Sequence, residues 1–341
     1  MAHSSDPFPD LPPVAEASVG SPAQLDALVN AGVPRVIRGL VREWPLCRAA
    51  AQGNEALFDY LKARDRGAPV PVMEAPAVAA GRFGYTDDPR EYSFTRRQRP
   101  LIETLKRILQ AAGSPQGPVI AIQMLALAEH MPQLVAENAL PLLSASARPL
   151  LWLGGPVKTQ IHHDREHNLA CVVTGRRRFV LFPPGQVGNL YIGPRDRAPP
   201  LSMVDPEAPD YARYPRFGAA LAAASIAELD PGDALLMPRL WWHHVTSIAP
   251  INAMVNFWWG GTERALDDPQ QLFLAALLAI RGLPLSERGY WQAMFADHVF
   301  EPSAEATSHL PAGLAAYLGP LNSREQADLR RQLLAAIIKS G

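Results

Sequence analysis

Apolar and polar positions along this 341-residue chain change their spacing from segment to segment, and each change predicts a different kind of element. Residues 1–20 hold Pro7, Pro9, Pro12 and Pro13 with little periodic apolar content, which predicts a flexible arm. Ser21 then stands as an N-cap with Pro22 at the first helical position, opening a short helix. Val33 to Leu40 reads as a strand and turn, residues 68–74 and 118–123 as extended, and residues 56–64 and 101–112 as helices. Over residues 21–120 these elements are expected to pack on a core that follows.

From about residue 150 to 260 the pattern becomes short β-rich segments broken by Pro and Gly: 149–153, 168–174, 178–182, 234–237 and 252–259. Regularly spaced short strands with turn residues between them predict a sandwich or barrel. Residues 191–224 form a long proline-rich insertion, of a length that compact domains reserve for functional loops. After Gly261 the spacing turns helical. Asp268-Pro-Gln-Gln271 has the capping-box arrangement ahead of residues 272–281, Ser286 can cap a helix to about Val299, and Ser323-Arg-Glu-Gln326 opens a last helix through Ile338. Apolar residues on more than one face of this tail predict pairing with a second copy, a homodimer through the C-terminal helices.

Composition narrows the classes. With 48% hydrophobic and 19% charged residues the chain reads as globular, not disordered or fibrous. A net charge of -1 gives no overall pull toward nucleic acid, and no basic stripe interleaved with aromatics favours RNA as a partner. Cys47 and Cys171 lie far apart, which indicates neither a disulfide framework nor a zinc knuckle. Residues 1–10 carry no basic stretch followed by an apolar one, and the apolar run 272–280 is too short to cross a bilayer, so a cytoplasmic location without a membrane partner is expected.

The candidate chemistry lies in Thr159-Gln-Ile-His162-His-Asp164 and Trp241-Trp-His243-His-Val. A histidine and a carboxylate two apart on a strand share one face. With one histidine from a distant strand they can occupy three positions on one side of an octahedral metal, leaving three open. His-x-Asp alone is a weak signal, since histidines near acids are common on surfaces. Its context is stronger: a second strand returns over 175–184, and residues 229–245 read as a turn, a strand and a tight exit.

Further motifs accompany the pair: Pro34-Arg-Val-Ile-Arg-Gly-Leu, Gly81-Arg-Phe-Gly-Tyr-Thr-Asp-Asp, Pro209-Asp-Tyr-Ala-Arg-Tyr-Pro-Arg-Phe217 and Val255-Asn-Phe-Trp-Trp259. Over roughly residues 30–260 the chain resembles the JmjC or cupin-like family of Fe(II)- and 2-oxoglutarate-dependent hydroxylases. The resemblance is closest to the branch containing the asparaginyl hydroxylase that acts on hypoxia-inducible factor. It implies a mainly β fold with flanking helices: a double-stranded β-helix (jelly-roll or cupin) core at 121–261, N-terminal α/β elements and a C-terminal helical region at 262–341.

The same resemblance implies iron ligation by His162, Asp164 and His243, with His163 and His244 facing outward or standing behind the ligands and His167 an ordinary surface histidine. It implies cosubstrate contacts from Thr159, Asn168 and Asn256, and from Arg177 where the family commonly carries lysine. Gln123, Arg213 and Trp258 match positions near substrate, while Ala121 replaces a family tyrosine and is expected to widen the pocket. The implied activity consumes O2 and 2-oxoglutarate, releases succinate and CO2, and hydroxylates a protein or peptide side chain. A small-molecule or RNA hydroxylase of the same family and a non-catalytic cupin-like binding protein are the alternatives. Zinc with an activated water is a third reading, but its closed tetrahedral preference gives Arg177, Thr159 and the two asparagines no reason to share a pocket.

Overall fold

The computed structural model describes residues 7–114, 116–194, 201–262, 264–301, 308–310 and 321–340. The chain divides into two compact units, residues 1–261 and 262–341.

The first unit is built on two facing sheets. The larger contains β1 (Arg35–Ile37), β2 (Val70–Ala75), β4 (Thr95–Arg99), β5 (Val119–Ala126), β6 (Arg148–Gly154), β9 (His167–Thr174), β12 (Ala234–Met237) and β14 (Asn252–Trp259). Their order is β1-β12-β9-β14-β6-β5-β2-β4, antiparallel throughout. The smaller sheet contains β3 (Arg82–Phe83), β7 (Lys158–Thr159), β8 (His162–His163), β10 (Arg177–Phe182), β11 (Ser225–Leu229) and β13 (Trp242–Ser247). It runs β11-β10-β13-β7-β3, with β8 also paired to β13. Mostly antiparallel sheets with flanking helices form the jelly-roll, cupin-type core expected from the sequence.

Alternation sorts the central strands of the larger sheet between two environments. On β9, Leu169, Cys171 and Val173 lie in the cluster beneath the helices, and Ala170 and Val172 in the cluster between the sheets. On β14, Ala253, Val255 and Phe257 face the helices, and Met254 faces the smaller sheet. The outer cluster is closed by α2 (Pro45–Ala51), α3 (Asn54–Lys62) and α4 (Leu101–Ala112), which follow α1 (Pro22–Asn30) and precede the short α5 (Leu127–His130) and α6 (Pro132–Glu137). α4 buries Leu101, Leu105 and Ile108 at i, i+4 and i+7, the stripe its spacing predicts. Each such burial contributes about 1.5–3 kcal/mol.

Several sequence expectations are corrected here. Within the N-terminal arm, residues 7–20 are not a free segment but a strap. Val14 N donates to the Ile226 carbonyl at 2.8 Å, Ile226 N to Pro12 O at 2.9 Å, and Ala17 N to Val36 O at 2.9 Å. Phe8 and Val14 are buried. The prolines that suggest flexibility instead hold the extended backbone that such bridging needs; residues 1–6 lie outside the described residues. No boundary falls at residue 120 either, because β1, β2 and β4 extend the same sheet as β5, which spans that position.

In the second unit, α8 (Pro269–Ala279) is capped by Asp268 as expected, its side chain accepting from Gln270 N. These helices follow α7 (Phe217–Ala222) of the first unit. α9 (Leu285–Phe295) begins after Pro284, so Ser286 lies inside it and does not cap it. The last helix, α10 (Ser323–Ser340), is capped by Asn322, not Ser323: the Asn322 side chain accepts from Arg324 N and Glu325 N, and Glu325 returns a bond to Asn322 N. That is a capping box shifted by one residue. Among the described residues, no helix is long and apolar enough to cross a membrane.

Candidate metal centre

Two chain segments, β8 with the residue that follows it and β13, bring His162, Asp164 and His243 together. β8 pairs His162 with His243 and His163 with Trp242 on β13, placing the imidazoles of residues 162 and 243 side by side with ring centroids 4.3 Å apart. Asp164 follows β8 directly, and its Oδ2 lies 3.9 Å from His243 Nε2. One ligand atom from each of the three residues falls within 4.8 Å of the other two, close enough for one metal ion to touch all three. Leu240, in the left-handed conformation with φ of 70°, closes the turn into β13 by donating its N–H to the Asp164 carbonyl.

Both imidazoles are oriented from behind. His162 Nδ1 lies 2.8 Å from the Gln160 carbonyl and His243 Nδ1 lies 3.1 Å from the Trp241 carbonyl. A carbonyl can only accept, so each Nδ1 carries the proton and each Nε2 lone pair is left for a metal. Burial lowers the pKa of His162 to about 4, helped by His243 beside it, and burial likewise lowers His243 to about 4. Both are therefore neutral at pH 7, the form that ligates. Burial raises the Asp164 carboxyl, partly opposed by His162 and by the Asn168 amide; a bound cation would reverse that shift.

A pH dependence follows for the metal-free protein. Between the ordinary histidine value of 6.5 and about 4, the unfolded chain takes up protons that the folded imidazoles refuse. Stability therefore falls as pH drops through that interval, with a partial offset from Asp164, which takes up its proton earlier in the folded state. Denaturant midpoints measured on metal-free protein at pH 7, 5.5 and 4 should decline in that order; a flat series would exclude the buried neutral pair.

A chain of amides continues from the carboxylate. Asn168 Nδ2 donates to Asp164 Oδ2 at 3.0 Å, and Asn256 Nδ2 donates to Asn168 Oδ1 at 2.7 Å. Asn256 Oδ1 is sealed from solvent and has no partner among the described residues. Arg177 opens β10 opposite Ser247 of β13, in alternation with Phe179 and Leu181, which lie between the sheets. The residue is 7% exposed, its Nε has no partner among the described residues, and burial alone lowers its pKa to about 10. Among the described residues no carboxylate neutralises it. Arg176 and Arg178, on the opposite face of the strand, both pair with Glu228. A buried guanidinium without a counter-ion costs several kcal/mol, so this position suits an anion brought from outside.

The remaining sequence-predicted residues divide. Thr159 on β7 uses its hydroxyl oxygen to accept from Val245 N at 3.0 Å, which leaves its proton free to donate inward. Gln123 is buried on β5 beside a register shift, and Trp258 on β14 stacks edge-on to Trp152 at 6.3 Å. Arg213 stands apart, exposed on the turn before α7 with its guanidinium over the Tyr214 ring. Ala121 does not open space: it is buried with Phe83, Val119 and Val157 and packs directly on Gly154, where even a methyl group would collide with it. His167 is half-buried, accepting from Arg239 N at 3.2 Å, and is a structural histidine.

Two features escape sequence reasoning, the sealed Trp152 indole and the partners of His244. The Trp152 indole N–H, like that of Trp258, is sealed from solvent with no partner among the described residues, yet in Pro149-Leu-Leu-Trp-Leu the residue reads as ordinary core. His244 is 3% exposed, with Nδ1 2.5 Å from the Thr159 carbonyl and Nε2 3.6 Å from Glu207. The Glu207 carboxyl is lowered to about 2, chiefly by His244 and then by Lys158.

The sequence matches the cupin-like domain over residues 21–264, and the chain belongs to that family. Among curated relatives it is 39% identical to the lysine-specific demethylase JMJ31 of Arabidopsis thaliana over 110 residues, 32% of this chain and 20% of that one. It is 37% identical to the Jumonji C domain-containing protein 5 of Drosophila melanogaster over 110 residues, 32% of this chain and 26% of that one. With the human bifunctional peptidase and (3S)-lysyl hydroxylase JMJD7 it shares 27% over 257 residues, 66% of this chain and 77% of that one. The match thus spans only a fifth to a quarter of the first two relatives. Fold and sequence agree on a cupin-like domain, and His162, Asp164 and His243 all lie within the matched residues.

Proposed function

We propose that the protein is an Fe(II)- and 2-oxoglutarate-dependent dioxygenase that hydroxylates a protein or peptide side chain. The observation that carries this reading is a neutral two-histidine, one-carboxylate cluster sharing the space between the sheets with a buried, unneutralised arginine. The donor set suits Fe(II) with three positions open. The orphaned Arg177 Nε and Asn256 Oδ1 suit a dicarboxylate that brings both charge and hydrogen-bonding partners. Bound Fe(II), 2-oxoglutarate and O2 supply the oxidising power for a substrate C–H bond, with succinate and CO2 as co-products.

The chain's own residues bind, orient and exclude water. His162, Asp164 and His243 hold the metal, with the Gln160 and Trp241 carbonyls fixing the imidazole planes. Asn168 keeps Asp164 Oδ2 aimed, and Asn256 keeps Asn168 aimed. Arg177 and the Thr159 hydroxyl take the far carboxylate. Gln123 and Trp258 line the substrate side. A protein substrate is supported by the (3S)-lysyl hydroxylase named among the relatives and by the Pro209–Phe217 motif that resembles the asparaginyl hydroxylase branch. Succinate formation from 2-oxoglutarate, measured with and without Fe(II), tests the reading: iron-dependent turnover supports it, and none with a full peptide panel returns the chain to a binding role.

The helical unit is proposed to pair with a second copy. Leu278 is 89% exposed, Leu285 78% and Ile338 77%, on three different helices. A Leu278→Glu, Ile338→Glu variant should sediment as a monomer where the parent sediments as a dimer; identical sedimentation would remove the proposal.

A further inference from the structure

β8, which carries His162, is only two residues long and joins the smaller sheet through two residue pairs. A strand that short cannot fix a ligand to the tolerance a metal site needs without outside support. That support comes from residues 201–207, the returning limb of the proline-rich insertion. Ser202, fully buried, donates its N–H to the carbonyl of Ile161 at 2.8 Å, immediately before His162. Asp205 pairs with Arg82 on β3 at 2.6 Å. Glu207 reaches the outer face of the strands behind the metal: its carboxylate pairs with Lys158, accepts from the Thr246 hydroxyl at 3.3 Å and lies 3.6 Å from His244 Nε2.

The register explains why that face matters. Lys158 pairs with Thr246 across β7 and β13, so the two share the outer face, and period two places His244 there as well. Their neighbours Thr159, His243 and Val245 then point between the sheets. Glu207 thus grips the outward residue next to a metal ligand and the outward residue next to the proposed carboxylate donor. His244 ties the same two strands again through the Thr159 carbonyl.

Resting on the reading that His162, Asp164 and His243 hold a metal, we propose that Glu207 is a positioning residue for that centre. It is a strut by which the insertion sets the placement of β7 and β13, and with it the affinity for metal. Outer-shell partners of this kind are worth about 10–100-fold in metal affinity. Loss of Glu207 therefore acts on the metal without touching it.

The test titrates the metal-free 341-residue chain with Co(II) and follows affinity and the ligand-field absorption. Wild type should bind one Co(II) per chain with a band that is absent in His162→Ala. Glu207→Gln should bind about tenfold more weakly or worse, with a shifted band and unchanged far-UV circular dichroism. Lys158→Met, which keeps the carboxylate and removes its cation, should shift affinity in the same direction by less. If both variants match wild type in affinity and band, Glu207 is only a stabilising residue and the inference is overturned, whatever happens to Tm. Should Glu207→Gln fail to fold, the Lys158 variant decides alone. Wild type that binds no Co(II) removes the metal reading itself, and the inference with it.

Discussion

Alanine in place of His162 or Asp164 is expected to abolish retention of iron and, with it, 2-oxoglutarate turnover. Each residue supplies one of three donors that already lie within 4.8 Å of one another. Losing one leaves an ion with two protein ligands, a greater loss than the roughly 10–100-fold that removing an outer-shell partner costs. His243→Ala should do the same, whereas His244→Ala should still bind metal, more weakly, and lose stability because its imidazole bridges β7 and β13. Metal analysis after gel filtration separates these outcomes. Equal and complete loss from residues 243 and 244 would show that the wrong histidine of the pair has been assigned.

Arg177→Met is expected to move binding and stability in opposite directions. Among the described residues no carboxylate neutralises the buried guanidinium, so uncharged methionine should raise the stability of the metal-free protein by about 1–4 kcal/mol. Cosubstrate binding should suffer, because truncating one partner of a buried charged pair costs about 2–5 kcal/mol, or roughly 30-fold upward in the apparent KM for 2-oxoglutarate. Thermal shifts make both visible: 2-oxoglutarate with an inert metal should raise the Tm of the parent by mass action and leave the variant unmoved. A variant that is destabilised, yet keeps its response to 2-oxoglutarate, would assign Arg177 a purely structural place.

The residues that were legible in the sequence are those whose roles depend on near neighbours. α4 is set by its own apolar stripe, β12 and β14 by β-rich runs bounded by Pro, Gly and Asn, and the pair His162 and Asp164 by a spacing of two. Arg177 is set apart from Arg176 and Arg178 in the sequence only by the family's lysine position, since the three read alike in isolation, and the fold adds that it alone faces between the sheets. The N-terminal strap was illegible because its partners, Val36 and Ile226, are distant in sequence and the bonds are backbone to backbone, carrying no side-chain signature. Trp152 was lost among leucines. Arg213 was placed near substrate by motif position alone, and the fold leaves it exposed over Tyr214. Glu207 lies in a loop whose only informative contacts are tertiary, so no local pattern could single it out.

Anaerobic titration of the metal-free protein with Fe(II) and then 2-oxoglutarate, followed by visible absorption, tests the central claim most directly, because chelation of an α-keto acid to ferrous iron produces a charge-transfer band. One equivalent of each should produce that band, with none in His162→Ala and a much higher 2-oxoglutarate requirement in Arg177→Met. A band that survives in His162→Ala, or no band in the parent at saturating iron and 2-oxoglutarate, would contradict a single centre built from His162, Asp164 and His243.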